Sequence, residues 1–305
     1  MKILVTGVAG FIGSNLADYL ISKNFEVIGI DNLSYGVAEQ IPEGVKFHNV
    51  DIRDKSIFNL FEGVDYVFHL AAKNSIIDCE NDPSETHDIN VNGTRNIFEA
   101  SALHQIKKVI YAESSAVYEG SENLPTTESD VSPQSVYAKS KMETHFIAKE
   151  YFKKSNLITT GLRYFNVYGP RQDYRRTIPP VFSAFIIKLL KGERPTIFGD
   201  GSKRRDFVYV DDVNDFHLMC IDKEKTNNNV FNIGSGKNYS INEIYANIAN
   251  ILDVKVKPIF AENLDFEAQE NLANIAEANK VGWNPKTTLS NGLKKSIDYI
   301  KINVI

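Results

Sequence analysis

Cysteine is scarce in this chain: Cys79 and Cys220 are its only two in 305 residues. They lie far apart and outside any C-x-x-C spacing, which argues against a disulfide framework and a zinc site. His48, His69, His87, His104, His145 and His217 show no metal-ligand spacing and no nucleophile partner, and are read as structural. Positive charge is not in excess, since 34 Lys and Arg stand against 39 Asp and Glu for a formal charge of −5. That balance argues against a nucleic-acid partner, and an anionic ligand must meet local positive charge instead of a global field. No apolar run approaches the roughly 20 residues needed to span a bilayer, so no membrane partner is expected. Met1 leads directly into Lys2-Ile-Leu-Val-Thr6, a buried-strand pattern, where a signal peptide would need an apolar leader. Repeats, low-complexity tracts and long linkers are lacking too. A reduced, cytoplasmic, soluble enzyme or sensor is the expectation.

What is present has a clear rhythm. Short β-branched runs alternate with longer helical stretches through the first half, the pattern of βαβ units around a parallel sheet. Strands are predicted at 2–6, 26–30, 45–50, 66–70, 108–112 and 158–163, and helices at 11–23, 84–104 and 137–154. Asp82 is the expected cap of the second helix, with Pro83 in its first turn. After Arg163 several prolines and glycines break the rhythm, as in a smaller lobe that supplies a binding wall. The segments 207–210 and 230–233 look like buried strands that return to the main sheet. Helices near 240–252 and 290–300 begin at serine caps. The expected fold is α/β, a doubly wound parallel sheet with a smaller C-terminal α/β lobe. The sheet domain is expected to span 1–165 with roughly 205–235 returning, and the lobe 166–204 and 236–305.

Gly7, Gly10 and Gly13 form G-x-x-G-x-x-G where the first strand meets the first helix, with Phe11 and Ile12 inside the turn. Glycine there permits positive φ, backbone approach to a pyrophosphate and close helix–strand packing. The helix N-terminus then offers free N–H groups and a positive dipole to the diphosphate. Asp31 ends the second strand, followed by Asn32. Its carboxylate suits both adenosine ribose hydroxyls and would repel a 2′-phosphate, so the expected cofactor is NAD. This Rossmann-type spacing resembles that of the extended short-chain dehydrogenase/reductase family. Further matches follow in order: Asp51-Ile52 beside the adenine, Leu70-Ala71-Ala72 beside the cofactor, and Asn90-Val91-Asn92-Gly93-Thr94, whose Asn90 is read as structural or cofactor-positioning.

Tyr137-Ala-Lys-Ser-Lys141 supplies Y-x-x-x-K, which places both side chains on one helix face. The Lys141 ammonium is expected to lower the Tyr137 pKa toward neutrality, making the phenolate a base. Glu113-Ser-Ser-Ala-Val-Tyr118 resembles the family segment whose serine, here Ser114, hydrogen-bonds the sugar hydroxyl being oxidised, with Ser115 able to touch the same sugar. Two residues depart from that pattern, Glu113 in place of a small residue and Glu119 ahead of Gly120.

Leu162-Arg-Tyr-Phe-Asn-Val-Tyr-Gly-Pro-Arg171 looks like the signature of nucleotide-sugar epimerases and dehydratases. The resemblance implies that Tyr164 lies near nicotinamide and sugar, and Asn166 at the UDP-sugar diphosphate. Gly199 to Asp212 resembles a further family block, in which Arg205 takes the diphosphate-binding arginine's place. Arg175 and Arg176 are weaker phosphate candidates, and Asp211-Asp212 reads as a helix cap. The resemblance also implies that Asn271, at the start of Asn271-Leu-Ala-Asn274, lines the sugar pocket, where a residue smaller than tyrosine admits a 2-N-acetyl group. The stretch 262–270 lacks an arginine that family members usually carry.

The resemblance extends over the whole chain and implies one of three reactions. Dehydratases carry an Asp-Glu pair where Ser115 and Ala116 stand, and decarboxylases usually a glutamate at Ala116. Epimerisation at C4 needs neither, so a UDP-sugar 4-epimerase is expected, with other nucleotide-sugar chemistry, an ordinary dehydrogenase or an NAD-sensing module as alternatives. No metal is expected. A homodimer through helices 84–104 and 137–154 is implied by resemblance alone.

Overall fold

The structure is a computed structural model that describes residues 1–176, 178–263 and 268–305. Seven parallel strands form the central sheet: β1 (Lys2–Thr6), β2 (Glu26–Asp31), β3 (Val45–Asn49), β4 (Tyr66–His69), β5 (Lys108–Ser114), β6 (Thr159–Tyr164) and β7 (Asn229–Ile233). Their order is β3-β2-β1-β4-β5-β6-β7. The order reverses between β1 and β4, and in open sheets of this kind ligands sit outside the carboxyl ends of the strands at such a switch point.

The central strands are apolar at nearly every position, because helices cover both faces and neither side meets water. One face buries Leu4, Val67, Val109 and Phe98, the other Ile3, Val5, Phe68 and Phe216. A third core, with Tyr168 stacked on Phe182 at 4.4 Å, belongs to the smaller lobe.

Helix α1 (Phe11–Ser22) starts at Gly10 with no side-chain cap. Helix α2 (Thr94–Leu103) and helix α3 (Val136–Ser155) pack against each other on the sheet. Ser135 caps α3 through the Ala138 N–H, and Asn156 ends it in the left-handed conformation. No helix among the described residues is long and apolar enough to cross a membrane.

Three local expectations are corrected. The stretch 84–104 is not one regular helix: Asp82 caps a short turn at Pro83–His87, a π-helical segment follows at Asp88–Gly93, and only then comes α2. The wide turn carries Asn90, which bonds Lys73 and Ser140, and such single-turn π segments are frequent at functional sites. Val208–Tyr209 does not rejoin the sheet but pairs with Val167–Tyr168. The chain after β6 turns away at Asn166, whose φ is 20°, and takes that partner with it. Thr288, not Ser290, caps the last helix (Leu289–Asn303) by accepting the Asn291 N–H.

Candidate active site

A cavity of about 1060 Å³ runs along the carboxyl ends of β1, β4 and β5 and beneath the smaller lobe. The residues singled out from the sequence for catalysis, cofactor or substrate line it, apart from Asn90 and the weaker phosphate candidate Arg175. Asn90 is 1% exposed and stands behind the wall. Its amide accepts from Lys73 N at 2.8 Å and donates to Lys73 O at 3.0 Å and Ser140 Oγ at 2.9 Å. It fixes the loop after β4 against α3 and is not placed to touch a ligand.

The glycine turn forms a cradle that admits no side chain. Gly7 has φ 73°, and a Cβ on it would sit 2.8 Å from Ala71 N, while one on Gly13 would sit 2.1 Å from Gly7 O. With the uncapped N-terminus of α1 above it, this cradle fits a diphosphate. Asp31 Oδ2 accepts from Ala9 N at 3.0 Å and Oδ1 from Leu33 N at 2.8 Å. Each carboxylate oxygen retains a further lone pair, enough for a pair of ribose hydroxyls. Burial raises the Asp31 pKa, and the two N–H donors oppose that rise. Asp51 is held well below the usual carboxylate range, first by its hydrogen bonds from Arg53, and takes Asn32 Nδ2 at 2.8 Å.

Asp31→Ala is expected to weaken NAD binding by roughly tenfold or more, the worth of hydrogen bonds to a charged group. Asp31→Asn keeps acceptors but loses the charge, and should lose much of the discrimination against NADP. Titration with both dinucleotides checks this, and equal affinities in the unmodified protein would remove Asp31 from the role.

At the centre, Tyr137 and Lys141 project from α3 toward the end of β5. The Lys141 Nζ lies 6.0 Å from the Tyr137 ring centroid and donates to Ala112 O at 3.2 Å. Burial pushes the Tyr137 phenol up to about 12, and only partly do Ser114 beside it and Arg176 pull it back. Burial likewise draws Lys141 down to about 8. The expected lowering of Tyr137 is therefore reversed in the protein alone, because loss of water around the phenolate outweighs the Ser114 hydrogen bond and the Arg176 charge. Ser114 Oγ accepts the Ala116 N–H at 3.2 Å, and Ser115 and Ala116 continue the wall.

The lobe closes the cavity. Asn271 Oδ1 accepts from Asp206 N at 2.7 Å and from Asn166 Nδ2 at 3.2 Å, tying two of the predicted substrate residues together. Tyr164 Oη meets His217 Nε2 at 2.7 Å. Arg205 lines the wall and donates to Arg204 O at 2.9 Å. Arg175 does not face the cavity but reaches Tyr35 O at 3.0 Å. Arg176 does face it, bonding Asp173 at 2.9 Å and Asn74 at 2.8 Å. Of the arginine-free stretch, residues 264–267 lie outside the described ones; Lys203 and Arg205 bring positive charge to the wall that Glu270 and Asn271 share. Asp211 and Asp212 open the helix Val210–Asp222, but Asp212 accepts from Lys286 N and Thr287 N instead of capping it.

Sequence reasoning did not foresee Asp206 as a hub. Its buried carboxylate takes Ser235 N at 2.6 Å, Gly236 N at 3.0 Å and Ala273 N at 3.0 Å, from two segments distant from it in sequence. Lys73, 4% exposed beside the cavity and paired with Glu85 at 2.6 Å, was likewise unforeseen. Among the described residues no group of three or more metal-binding side chains occurs.

A doubly wound sheet, a side-chain-free diphosphate cradle and a Ser-Tyr-Lys centre define a dinucleotide-dependent enzyme acting on a hydroxyl. Residues 3–234 match the model of the NAD dependent epimerase/dehydratase family, and the chain belongs to that family. It is 38% identical to a putative UDP-glucose 4-epimerase of Methanocaldococcus jannaschii, over 99% of each chain. Its fold superposes on UDP-glucose 4-epimerase from Thermotoga maritima, solved with UDP-glucose, at TM-score 0.96 and 34% identity over 100% of both chains. A UDP-N-acetylglucosamine 4-epimerase from Methanobrevibacter ruminantium, in complex with UDP-N-acetylmuramic acid, matches at TM-score 0.95 and 31% identity over 99% of each.

Proposed function

We propose that the chain is an NAD-dependent UDP-sugar 4-epimerase whose sugar carries a 2-acetamido group, so that it interconverts UDP-N-acetylglucosamine and UDP-N-acetylgalactosamine. One observation carries the choice of sugar: the cavity wall holds Asn271, a side chain much smaller than tyrosine, tethered to Asn166 and Asp206. In this reading Gly7, Gly10 and Gly13 hold the NAD diphosphate, Asp31 its adenosine ribose, and Asp51 and Ile52 border its adenine. Bound NAD supplies the hydride acceptor for sugar C4 and the donor that returns the hydride. Tyr137 removes the O4 proton, Ser114 orients that hydroxyl, and the Lys141 ammonium supports the phenolate. Asn166 and Arg205 hold the UDP diphosphate while the 4-keto hexose turns about its link to it, and Tyr137 then returns the proton. Residues 1–165 with 205–235 form the cofactor domain in this proposal, and the remainder the sugar lobe. A homodimer through α2 and α3 belongs to the proposal as well, since Leu103, Phe146 and Phe152 are exposed there.

Arg176 favours a second reading. It stands on the cavity wall and its charge is felt at the Tyr137 phenol, so a sugar bearing a carboxylate would find a counter-ion near the reacting carbon. Incubation with UDP-N-acetylglucosamine, UDP-glucose and UDP-glucuronate, each without added NADH, separates the two. The N-acetyl sugars are expected to interconvert with no net change in NAD. Turnover of the glucuronate alone would select the second reading, and net reduction of NAD would replace epimerase by dehydrogenase.

A further inference from the structure

Glu113 departs from the family pattern, and the structure gives it a setting that none of the roles above uses. Its side chain is fully buried at the end of β5, next in sequence to Ser114. Arg163 of β6 donates Nε to its Oε2 at 2.6 Å, and His145 of α3 places Nδ1 3.2 Å from its Oε1. Arg163 also donates to Tyr118 Oη at 2.8 Å and to Glu128 O at 2.7 Å, which anchors it from the far side. Tyr137, Lys141 and His145 follow one another at four-residue spacing and so form one stripe along α3. The first two members carry the chemistry, and the third grips the residue beside Ser114.

We propose that Glu113 and His145 are positioning residues of this active site, which tie the helix carrying Tyr137 and Lys141 to the strand carrying Ser114 and set a negative charge behind the Lys141 ammonium. The proposal rests on the reading of Tyr137 and Lys141 given above. A rotation of α3 by a fraction of a turn would separate Tyr137 from Ser114, and the His145–Glu113 contact resists it from one turn beyond Lys141. The charge argument follows from what surrounds each group. Lys141 faces Glu113 from β5, His69 from β4, Cys79 from the short helix Ile76–Asn81 and Tyr137 on its own helix, and the Glu113 charge does most to oppose the effect of burial on the ammonium. Glu113 in turn faces Arg163, His145, Tyr111 and Tyr118.

His145→Phe keeps a ring but loses the contact, whereas His145→Gln retains a donor. For His145→Phe, kcat should fall about tenfold or more, as misplacement of reacting groups does, with KM for the UDP-sugar unchanged. His145→Gln should recover most of the loss. Glu113→Gln leaves Arg163 buried without its counter-ion, so the second test is Glu113→Gln with Arg163→Met. The Arg163 charge leaves together with that of Glu113, but Glu113 is the member of the pair that acts on Lys141, so in that variant the alkaline limb of the kcat profile should move to lower pH as Lys141 loses its proton sooner. An unchanged kcat in His145→Phe overturns the proposal, as does an unmoved limb in the double variant. Loss of thermal stability alone also overturns it, since that is what a purely structural network predicts. Should the double variant not fold, the kcat of His145→Phe and its recovery in His145→Gln decide. Tyr137→Phe, run alongside, distinguishes the two levels: an active Tyr137→Phe overturns the underlying reading, whereas an inactive one with unmoved His145 and Glu113 variants overturns only this proposal.

Discussion

Tyr137→Phe is expected to lower turnover of UDP-sugar by on the order of 10² or more, the contribution of a positioned acid–base group. The ring stays packed, so binding of the UDP-sugar and of NAD should change little. The structure makes the prediction sharper than the motif does. Burial holds the phenol up at about 12, so the free protein carries it protonated at neutral pH. The proton must therefore leave in response to positive charge gathered at the site, to which the chain contributes Arg176 and the Lys141 ammonium, itself drawn down to about 8. Turnover of the unmodified enzyme should decline above pH 8, where that ammonium is lost. Single-turnover assays together with equilibrium binding of UDP-sugar check both parts. Near-normal turnover in Tyr137→Phe would end its candidacy as the base.

Asn271→Tyr is expected to cut kcat/KM for UDP-N-acetylglucosamine by about 10²-fold relative to that for UDP-glucose, since an overfilled pocket rejects by steric clash. The tertiary structure refines what the asparagine offers. Its Oδ1 already accepts from Asp206 N and Asn166 Nδ2, so the amide is set to donate to an acetamido carbonyl through Nδ2. The substitution also removes the tether to Asp206, but that loss falls on both sugars alike and cancels in the ratio of their kcat/KM values. The ratio is the quantity to measure. An equal loss on both sugars would place residue 271 outside the sugar pocket and withdraw the N-acetyl assignment.

Much of the site was legible because its parts are local. The glycine spacing is dictated within one strand–turn–helix, Asp31 by the end of the next strand, and Y-x-x-x-K by the pitch of a single helix. Each states which groups one element presents, and the chain has little freedom to present them otherwise. Six of the seven central strands could be read from the first half, where apolar runs alternate with helices, and the seventh from its buried pattern at 230–233. Asn90 was harder. Its motif is local, but its partners Lys73 and Ser140 lie behind the cavity wall on other elements, and the π-helical turn that carries it is not encoded in the motif.

What the sequence determined alone is the class of chemistry: a glycine cradle, an acid at the end of the second strand, and a tyrosine–lysine pair on one helix face. Tertiary structure alone decided the electrostatics and the supports. The direction of the Tyr137 pKa depends on how much water the folded cavity excludes, which no spacing encodes. The pairing of Glu113 with Arg163 and His145 joins two strands and a helix, and the bonds of Asp206 join segments up to 67 residues apart. Such contacts are set by packing between elements, where burial makes an unpaired charge or donor costly and so selects its partner.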